Sequence, residues 1–271
     1  DWGDDAEDKN EDNSLSAEQE AKNNSLNIGY VEPNPAVLKG PILEFEGVDI
    51  AFVTKHDSAS LQNTKGVLVL DDYVFAGEGG TFDWTMAGLT PNVKGTFKKY
   101  KFKVSSPHLT AEGFTLTYPS KISEPVEGIF EFSSKKHTST GETDYPRFMS
   151  YNSNVEIKDL GDNIKYHGGF SLRGARVYSS SVNGGNGSIE VTHHGKLKFR
   201  SVAQHFVLSD SIISAEPSSV VIYQKNDSIY HPGVLLDYNR NKQFLHVYRE
   251  KSHFKYSTFI DSYHEMDMDM D

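Results

Sequence analysis

The chain contains no cysteine. Disulfide scaffolds, thiolate catalysis and zinc sites built on cysteine are therefore excluded. Long apolar runs are also missing, since no stretch approaches the ~20 residues of a membrane-spanning helix and no signal-peptide core is present. Because the sequence begins at Asp1 instead of Met and ends abruptly at Asp271, we expect a fragment of a longer chain.

An excess of basic residues is absent too. The net charge is −11, but residues 1–26 hold nine acids against two lysines, and residues 261–271 hold five acids and no base. The stretch 27–260 is therefore almost neutral. Its best basic stripe surrounds Tyr100 and Phe102 and consists of Lys98, Lys99, Lys101 and Lys103. Alternation along a strand favours a solvated face for these lysines, and we expect no nucleic-acid partner.

Convincing helix patterns are missing from Val37 onward, where alternating apolar residues predict strands separated by Gly, Pro and Asn. The alternation changes phase at Gly47, which indicates a bulge or tight bend. The predicted strands are Leu43–Phe45, Val48–Phe52, Gly66–Leu70, Tyr73–Phe75, Thr96–Val104, Phe114–Tyr118, Val126–Phe132, Val155–Lys158, Asn163–Tyr166, Gly169–Leu172 and Ala175–Ser179. In Phe114–Tyr118 the pattern places apolar residues inward and threonines outward.

Turn chemistry predicts the connections. Val182–Ser188 is rich in glycine and predicts a hairpin loop; a phosphate cradle would need a following helix, which the sequence lacks. Asp227–Tyr248 predicts a β-meander, with a type II turn at His231–Gly233 and a second turn at Asn239–Lys242.

These patterns predict an all-β fold. The architectures considered are an elongated multi-stranded β-solenoid or β-groove, stacked antiparallel β-sheets, a sandwich and a barrel. Residues 1–36 predict an acidic disordered tail or linker. The β body divides into a first half, 37–140, and a second half, 141–271, at the polar stretch Ser133–Ser153, although the two halves could be continuous. The motifs do not establish a repeat of fixed period.

Catalytic candidates are weak. Glu127 with Glu131, or Asp83 beside Trp84, could form the acid pair of a glycoside hydrolase, but their spacing does not distinguish them from scattered surface carboxylates. We therefore predict no catalytic residues and no enzymatic activity.

Metal and cofactor candidates are weak as well. The doublet His193-His194 favours a surface or turn-proximal pair, and His231 favours local hydrogen bonding. Asp267–Asp271 resembles the opening of a calcium loop, but the glycine and distal glutamate are missing, and a truncated strand is favoured. We predict no metal and no cofactor.

Several short phrases resemble a repeat-like region of very large, poorly characterised envelope proteins of Gram-negative, Bacteroidetes-type bacteria. They are Leu38-Lys-Gly-Pro-Ile, Gly77-Glu-Gly-Gly-Thr-Phe-Asp-Trp84, Tyr145-Pro-Arg-Phe, Gly168-Gly-Phe-Ser-Leu, Asp227-Ser-Ile-Tyr-His-Pro-Gly233 and Ser262-Tyr-His-Glu-Met-Asp-Met-Asp. The resemblance covers about residues 37–271. It implies an extracytoplasmic location, in the periplasm or at the outer membrane, and an elongated β architecture. Similar layouts occur in AsmA-like and LPS-transport β-groove proteins, which is an analogy of architecture.

Two functions follow from these expectations. The first is a non-enzymatic structural or lipid-contacting segment of an envelope protein, with other envelope proteins or lipid as partners. The alternative is a carbohydrate-binding or polysaccharide-processing β module, suggested by the abundant Tyr and Phe and by the acids near Trp84. Acceptor-like sites for the O-glycosylation of such bacteria begin at Asp57, Asp210 and Asp227.

Overall fold

A computed structural model describes residues 40–53, 58–106, 108–133, 144–225, 227–248, 259–261 and 266–268. Strands dominate this part of the chain, so the all-β prediction is confirmed. The one helix within it is a short 3-10 turn, Thr85–Ala87. No helix in the described ranges is long and apolar enough to cross a membrane. The predicted acidic tail, 1–36, lies outside the described residues.

The strands of the first half are β1 (Ile42–Val53), β2 (Ser58–Val69), β3 (Val74–Glu78), β4 (Thr81–Asp83), β5 (Lys94–Thr96), β6 (Lys99–Lys103), β7 (His108–Thr117) and β8 (Val126–Ser133). Those that follow are β9 (Arg147–Ser150), β10 (Ile164–His167), β11 (Ser171–Arg173), β12 (Arg176–Tyr178), β13 (Gly187–His193), β14 (Lys196–Ala203), β15 (Phe206–Leu208), β16 (Ile212–Gln224), β17 (Asp227–Asn239), β18 (Phe244–Tyr248), β19 (Phe259–Asp261) and β20 (Met266–Met268).

All pairings between these named strands are antiparallel, and they join the strands into one continuous sheet. From β1 the sheet runs through β2, the short strands β3 to β6, and then β7 and β8. It continues through β9, β11, β12 and β15 to β16. On the same edge β16 also pairs with β14, which leads to β13 and β10, while its other edge pairs with β17. The sheet therefore crosses the stretch Ser133–Ser153 without interruption.

The inner face of the sheet is filled by one cluster of buried apolar side chains drawn from both halves of the chain. Alternation along the strands produces it, as Phe114 and Leu116 on β7 are buried while Thr115 and Thr117 are not. Aromatic rings dominate the first half; the Phe114 and Phe130 centroids are 4.7 Å apart. Because this interior is filled, the expected open groove is not confirmed.

The chain contains a structural repeat that the sequence did not reveal. The register of the β1–β2 pair recurs in the β16–β17 pair with each residue number raised by 170 (42 to 212 on one strand, 69 to 239 on the other). The matching pairs are Ile42–Val69 and Ile212–Asn239, Phe45–Gly66 and Ala215–Leu236, Val48–Thr64 and Ser218–Val234, and Leu61–Ile50 and His231–Val220. The third strands, β3 and β18, also lie 170 residues apart (74 and 244).

Two opposed bulges recur at the same places in both hairpins. The first adds a residue at Glu46–Gly47 on β1 and at Glu216–Pro217 on β16. The second adds a residue at Gln62–Asn63 on β2 and at Pro232–Gly233 on β17. Proline is tolerated at such positions because no ladder N–H is required there.

In each hairpin a side chain accepts a hydrogen bond from a backbone N–H of the second bulge. The Asn63 N–H donates to Asp49 Oδ1 at 2.7 Å, whereas the Gly233 N–H donates to His231 Nδ1 at 3.0 Å. The bulge predicted at Gly47 is confirmed. The turn predicted at His231–Gly233 is wrong, because β17 continues through it, and the same residues make a bulge instead.

Two further sequence predictions are wrong. Val182–Ser188 does not close a hairpin, because β12 pairs with β11 and β15 whereas β13 pairs with β10 and β14. Val155–Lys158 is not a strand; it contributes one isolated bridge between Ile157 and Ile122. The strands β4, β9, β14, β15, β16 and β19 were not predicted. The second predicted turn of the meander, Asn239–Lys242, is confirmed between β17 and β18.

Candidate functional site

The predicted acid pair Glu127 and Glu131 does not form a catalytic site. The two residues lie four positions apart on β8, about 13 Å along a strand, whereas glycoside hydrolysis needs carboxyl groups roughly 5–9.5 Å apart. Each has its own cation instead: Lys98 Nζ lies 2.6 Å from Glu127, and Arg147 lies 3.6 Å from the largely buried Glu131.

Asp83 and Trp84 have structural positions. Asp83 Oδ1 accepts hydrogen bonds from the Thr85 N–H at 2.9 Å and from the Thr85 hydroxyl, so the carboxylate stabilises the start of the 3-10 turn. Trp84 is 0% exposed and packs against Phe82 and Phe130. Trp84 lies in the core and is therefore not accessible for stacking on a sugar.

The histidine doublet lies at a tight turn. His194 (φ 50°) and Gly195 (φ 72°) form a two-residue connection between β13 and β14, and positive φ at both positions is typical of a type I′ hairpin turn. The two side chains are exposed and their ring centroids lie 4.0 Å apart, so the prediction of a surface or turn-proximal pair is confirmed. Within the described residues no cluster of three His, Asp or Glu is arranged to hold a metal.

The predicted basic stripe is largely solvated. Tyr100 and Phe102 lie in the core, Lys98, Lys99 and Lys103 are exposed, and Lys101 is half-buried. His231 is 0% exposed and accepts the local hydrogen bond already described. The loop Val182–Ser188 leads into β13 and not into a helix, so it lacks the context of a phosphate cradle.

The terminal and glycosylation predictions lie partly outside the described residues. Met266–Met268 is strand β20, as the strand interpretation of this end requires, while 269–271 are not described. Asp210 is exposed, Asp227 is half-buried, and Asp57 lies outside the described residues.

An arginine cluster on the outer face was missed by the sequence reading. Glu131, Arg147, Arg173 and Arg176 stand in register on the neighbouring strands β8, β9, β11 and β12. Asp144 accepts two hydrogen bonds from Arg173, at 3.1 and 2.8 Å, and one from Arg176 at 3.1 Å. These arginines hold the pKa of the Asp144 carboxyl below its usual value against the opposing effect of its partial burial. Because Glu131 and Asp144 form ion pairs with the arginines, we interpret the cluster as a stabilising link between neighbouring strands.

A second brace joins distant loops near the start of β16. Lys121 Nζ contacts Asp159 at 3.3 Å and Asp210 at 2.5 Å. These contacts lower the pKa of Asp210, chiefly through its hydrogen bond with Lys121. Arg240 donates to the backbone carbonyls of Asp159, Leu160, Ser209 and Asp210.

The feature that stands out is the outer edge of β1. Among the described residues β1 pairs only with β2, whereas its counterpart β16 pairs on both edges. Leu43, which faces inward on β1, is 48% exposed, but its counterpart Ile213 is 0% exposed. Phe45 and Ile50 on β1 are also only partly buried. An unpaired strand edge with an apolar face is suited to receive another strand.

Polar side chains line a pocket that extends from β1 across β2 and β3 to β6. This open pocket of about 390 Å³ lies beside Phe45 and is lined by Glu44, Glu46, Lys65, Glu78 and Lys99. Next to it, the buried Tyr100 hydroxyl lies 2.5 Å from Thr64 Oγ1, and burial raises the pKa of Tyr100 to about 12. The phenol is therefore neutral at physiological pH and acts as a hydrogen-bonding group of the core.

These groups do not form a nucleophile–base arrangement; what the described residues show here is an unpaired strand edge with partly exposed apolar side chains. No family model matches the chain, and neither a curated protein nor a solved structure matches it. The repeat and the β1 edge are therefore the observations from which function is inferred.

Proposed function

We propose that this chain is a non-enzymatic, structural segment of a repeat-built β scaffold. The observation that carries the proposal is the 170-residue displacement between the β1–β2 and β16–β17 pairs, which preserves both bulges. In repeat proteins each unit contacts its neighbours, and stacking of the units extends one continuous core. Here β16 begins the second unit and is buried because β14 and β15 of the first unit lie beside it.

The scaffold form is favoured over lipid contact by the filled interior. Phe82, Phe114 and Phe130 are fully buried on the inner face, where a lipid groove would need an open apolar wall. Among the described residues, partly exposed inward side chains lie at the two ends of the sheet, at Phe45 and Ile50 of β1 and at Leu245 and Val247 of β18. The cell envelope is the proposed location, supported by the resemblance of the sequence phrases; protease accessibility in intact and in permeabilised cells would test it.

Duplication at the structural period tests the scaffold. A second copy of residues 42–211 is inserted between Ser211 and Ile212, so that the new β1 follows β15 in the way that β16 does. We expect a soluble chain that unfolds in one transition, is longer by small-angle X-ray scattering, and protects the inserted β1 from hydrogen exchange as strongly as β16. Terminal sequences are unchanged in this variant.

The matched control inserts residues 42–181 at the same place, which breaks the period. We expect this chain to aggregate or to lose its cooperative transition. Equal behaviour of the two insertions, or two separate transitions for the in-period chain, would show that the repeat does not extend one scaffold.

A further inference from the structure

The edge of β1 that is unpaired among the described residues is more apolar than the covered edge of β16. The inward residues of β1 are Leu43, Phe45, Val48, Ile50 and Phe52, and those of β16 are Ile213, Ala215, Ser218, Val220 and Ile222. At four of these positions β1 carries the larger side chain: Phe45 against Ala215, Val48 against Ser218, Ile50 against Val220, and Phe52 against Ile222. A strand evolved to remain an edge shows the opposite trend, because an exposed apolar edge promotes aggregation.

The bulge at Glu46–Gly47 does not serve as edge protection. Bulges often blunt the free edges of sheets. The equivalent bulge at Glu216–Pro217 lies in β16, which has neighbours on both sides. The bulge therefore belongs to the repeat, and β1 retains the backbone geometry of a strand that is covered in the other unit.

The strands beside β16 show which kind of segment could pair with β1. They are β14 followed by β15, which together form one segment that runs antiparallel to β16 and is interrupted at Gln204–His205, opposite the β16 bulge; we call this segment the ribbon. Its inward residues are Phe199, Ser201, Ala203, Phe206 and Leu208, all buried. His205 in the interruption lies 2.7 Å from Ser180 Oγ, and burial lowers the pKa of this histidine.

The register of the β14–β15 segment on β16 shows what would face each residue of β1. Val207 would lie opposite Glu44, Val202 opposite Asp49, and Arg200 opposite Ala51, diagonally from Asp49. Apolar side chains would therefore lie over Leu43 and Phe45, with one opposite-charge neighbour near Asp49.

We propose that the edge of β1 left unpaired among the described residues binds an antiparallel segment of the β14–β15 type, contributed by another repeat of the same kind. The inference rests on the proposed repeat scaffold and identifies its partner. The ribbon would pair with β1 in the register that β14–β15 uses on β16, placing a Leu208-type residue opposite Leu43 and a Phe206-type residue opposite Phe45. Main-chain hydrogen bonds would supply affinity, and the inward side chains would fix the register.

The test uses a labelled synthetic peptide of residues 196–208 and the whole chain, with binding followed by fluorescence anisotropy and hydrogen exchange. We expect saturable 1:1 binding and slower amide exchange along β1. Two neighbouring substitutions make the matched pair: Leu43→Lys changes the inward face, and Ile42→Lys changes the outward face of the same strand. Both residues are similarly exposed, at 48% and 44%, so neither change should unfold the chain, which circular dichroism would verify.

We expect Leu43→Lys to weaken the binding at least about tenfold and Ile42→Lys to change it less than about twofold. Equal effects of the two substitutions would overturn the proposed face. Absence of peptide binding would overturn the ribbon as the occupant. In that case, self-association that Leu43→Lys abolishes would identify a second copy, and protected β1 amides in the monomer would identify a cover from within the chain.

The same exchange data separate this inference from the scaffold. If β16 is protected and the peptide does not bind, only the proposed occupant fails. If the β16 amides exchange as fast as those of β1, the second unit is not buried. Both the proposed scaffold and the proposed partner of β1 would then be wrong.

Discussion

The β1–β2 and β16–β17 hairpins share one register and two bulges, but they differ in what lies beside them. One edge of β16 pairs with β14 and β15, and the inward residues Ile213 and Val220 of β16 are fully buried. The corresponding edge of β1 has no such neighbour among the described residues, and the inward residue Leu43 is half exposed. The comparison teaches that position in the sheet, and not the strand's own pattern, determines its burial.

Side-chain size follows the same difference. Where β16 is covered it carries the small residues Ala215 and Ser218, which leave room for Phe206 and Ala203 opposite them. Where β1 is open it carries Phe45. Close packing of interiors explains this complementarity, because the large Phe206 lies opposite the small Ala215.

The largest expected contrast compares Ile213→Ala with Leu43→Ala, two residues at equivalent positions. Removal of the fully buried Ile213 side chain leaves a cavity and should lower the free energy of unfolding by about 3 kcal/mol. Leu43 is 48% exposed, and its truncation should cost less than about 1 kcal/mol. Urea unfolding followed by circular dichroism measures both. Equal losses would mean that β1 is covered as completely as β16.

A smaller contrast exchanges the residues at a second equivalent position, Leu61 on β2 and His231 on β17. Leu61→His places an imidazole against Phe82 in an apolar region and should cost about 2 kcal/mol. His231→Leu removes the acceptor of the Gly233 N–H but adds buried apolar surface, so the loss should be about 1 kcal/mol.

The exchange has a control in Leu61→Met, which preserves volume and should be nearly neutral in the same unfolding measurement. If His231→Leu proved more damaging than Leu61→His, the histidine would contribute more than its bulge hydrogen bond. The two hairpins would then be stabilised by different means.

The strand pattern was readable from the sequence because alternation and turn residues are local properties. Thr115 and Thr117 were correctly placed outward, and Gly47 was correctly assigned to a bulge. The bulge at Pro232–Gly233 was mistaken for a turn because Pro-Gly suits both structures locally. Only the pairing of β17 with β16 on both sides of it, a long-range property, distinguishes them.

The repeat was not readable because it is conserved in register and scarcely in residue type. Aligned at a displacement of 170, residues 42–78 and 212–248 are identical at five positions. They are Ile42 and Ile212, Glu46 and Glu216, Lys55 and Lys225, Asp57 and Asp227, and Ser58 and Ser228. Glycine at one bulge and proline at its counterpart give the same break by different means. The unpaired edge of β1 could not be predicted for the same reason, because it is recognised only by comparing β1 with its paired counterpart β16.

The smallest expected effect concerns the four-residue turns that follow β2 and β17, which end at Tyr73 (φ 53°) and Gln243 (φ 51°). A left-handed conformation costs a non-glycine residue about 1 kcal/mol, and glycine adopts it freely. Glycine also raises the conformational entropy of the unfolded state, which offsets part of this stabilisation. Both side chains are exposed, so little packing is lost. Tyr73→Gly and Gln243→Gly should therefore each raise the free energy of unfolding by about 0.5 kcal/mol. Tyr73→Ala and Gln243→Ala keep the conformational cost and should show no gain. A gain at one turn and a loss at the other would show that the repeat ends before the third strand.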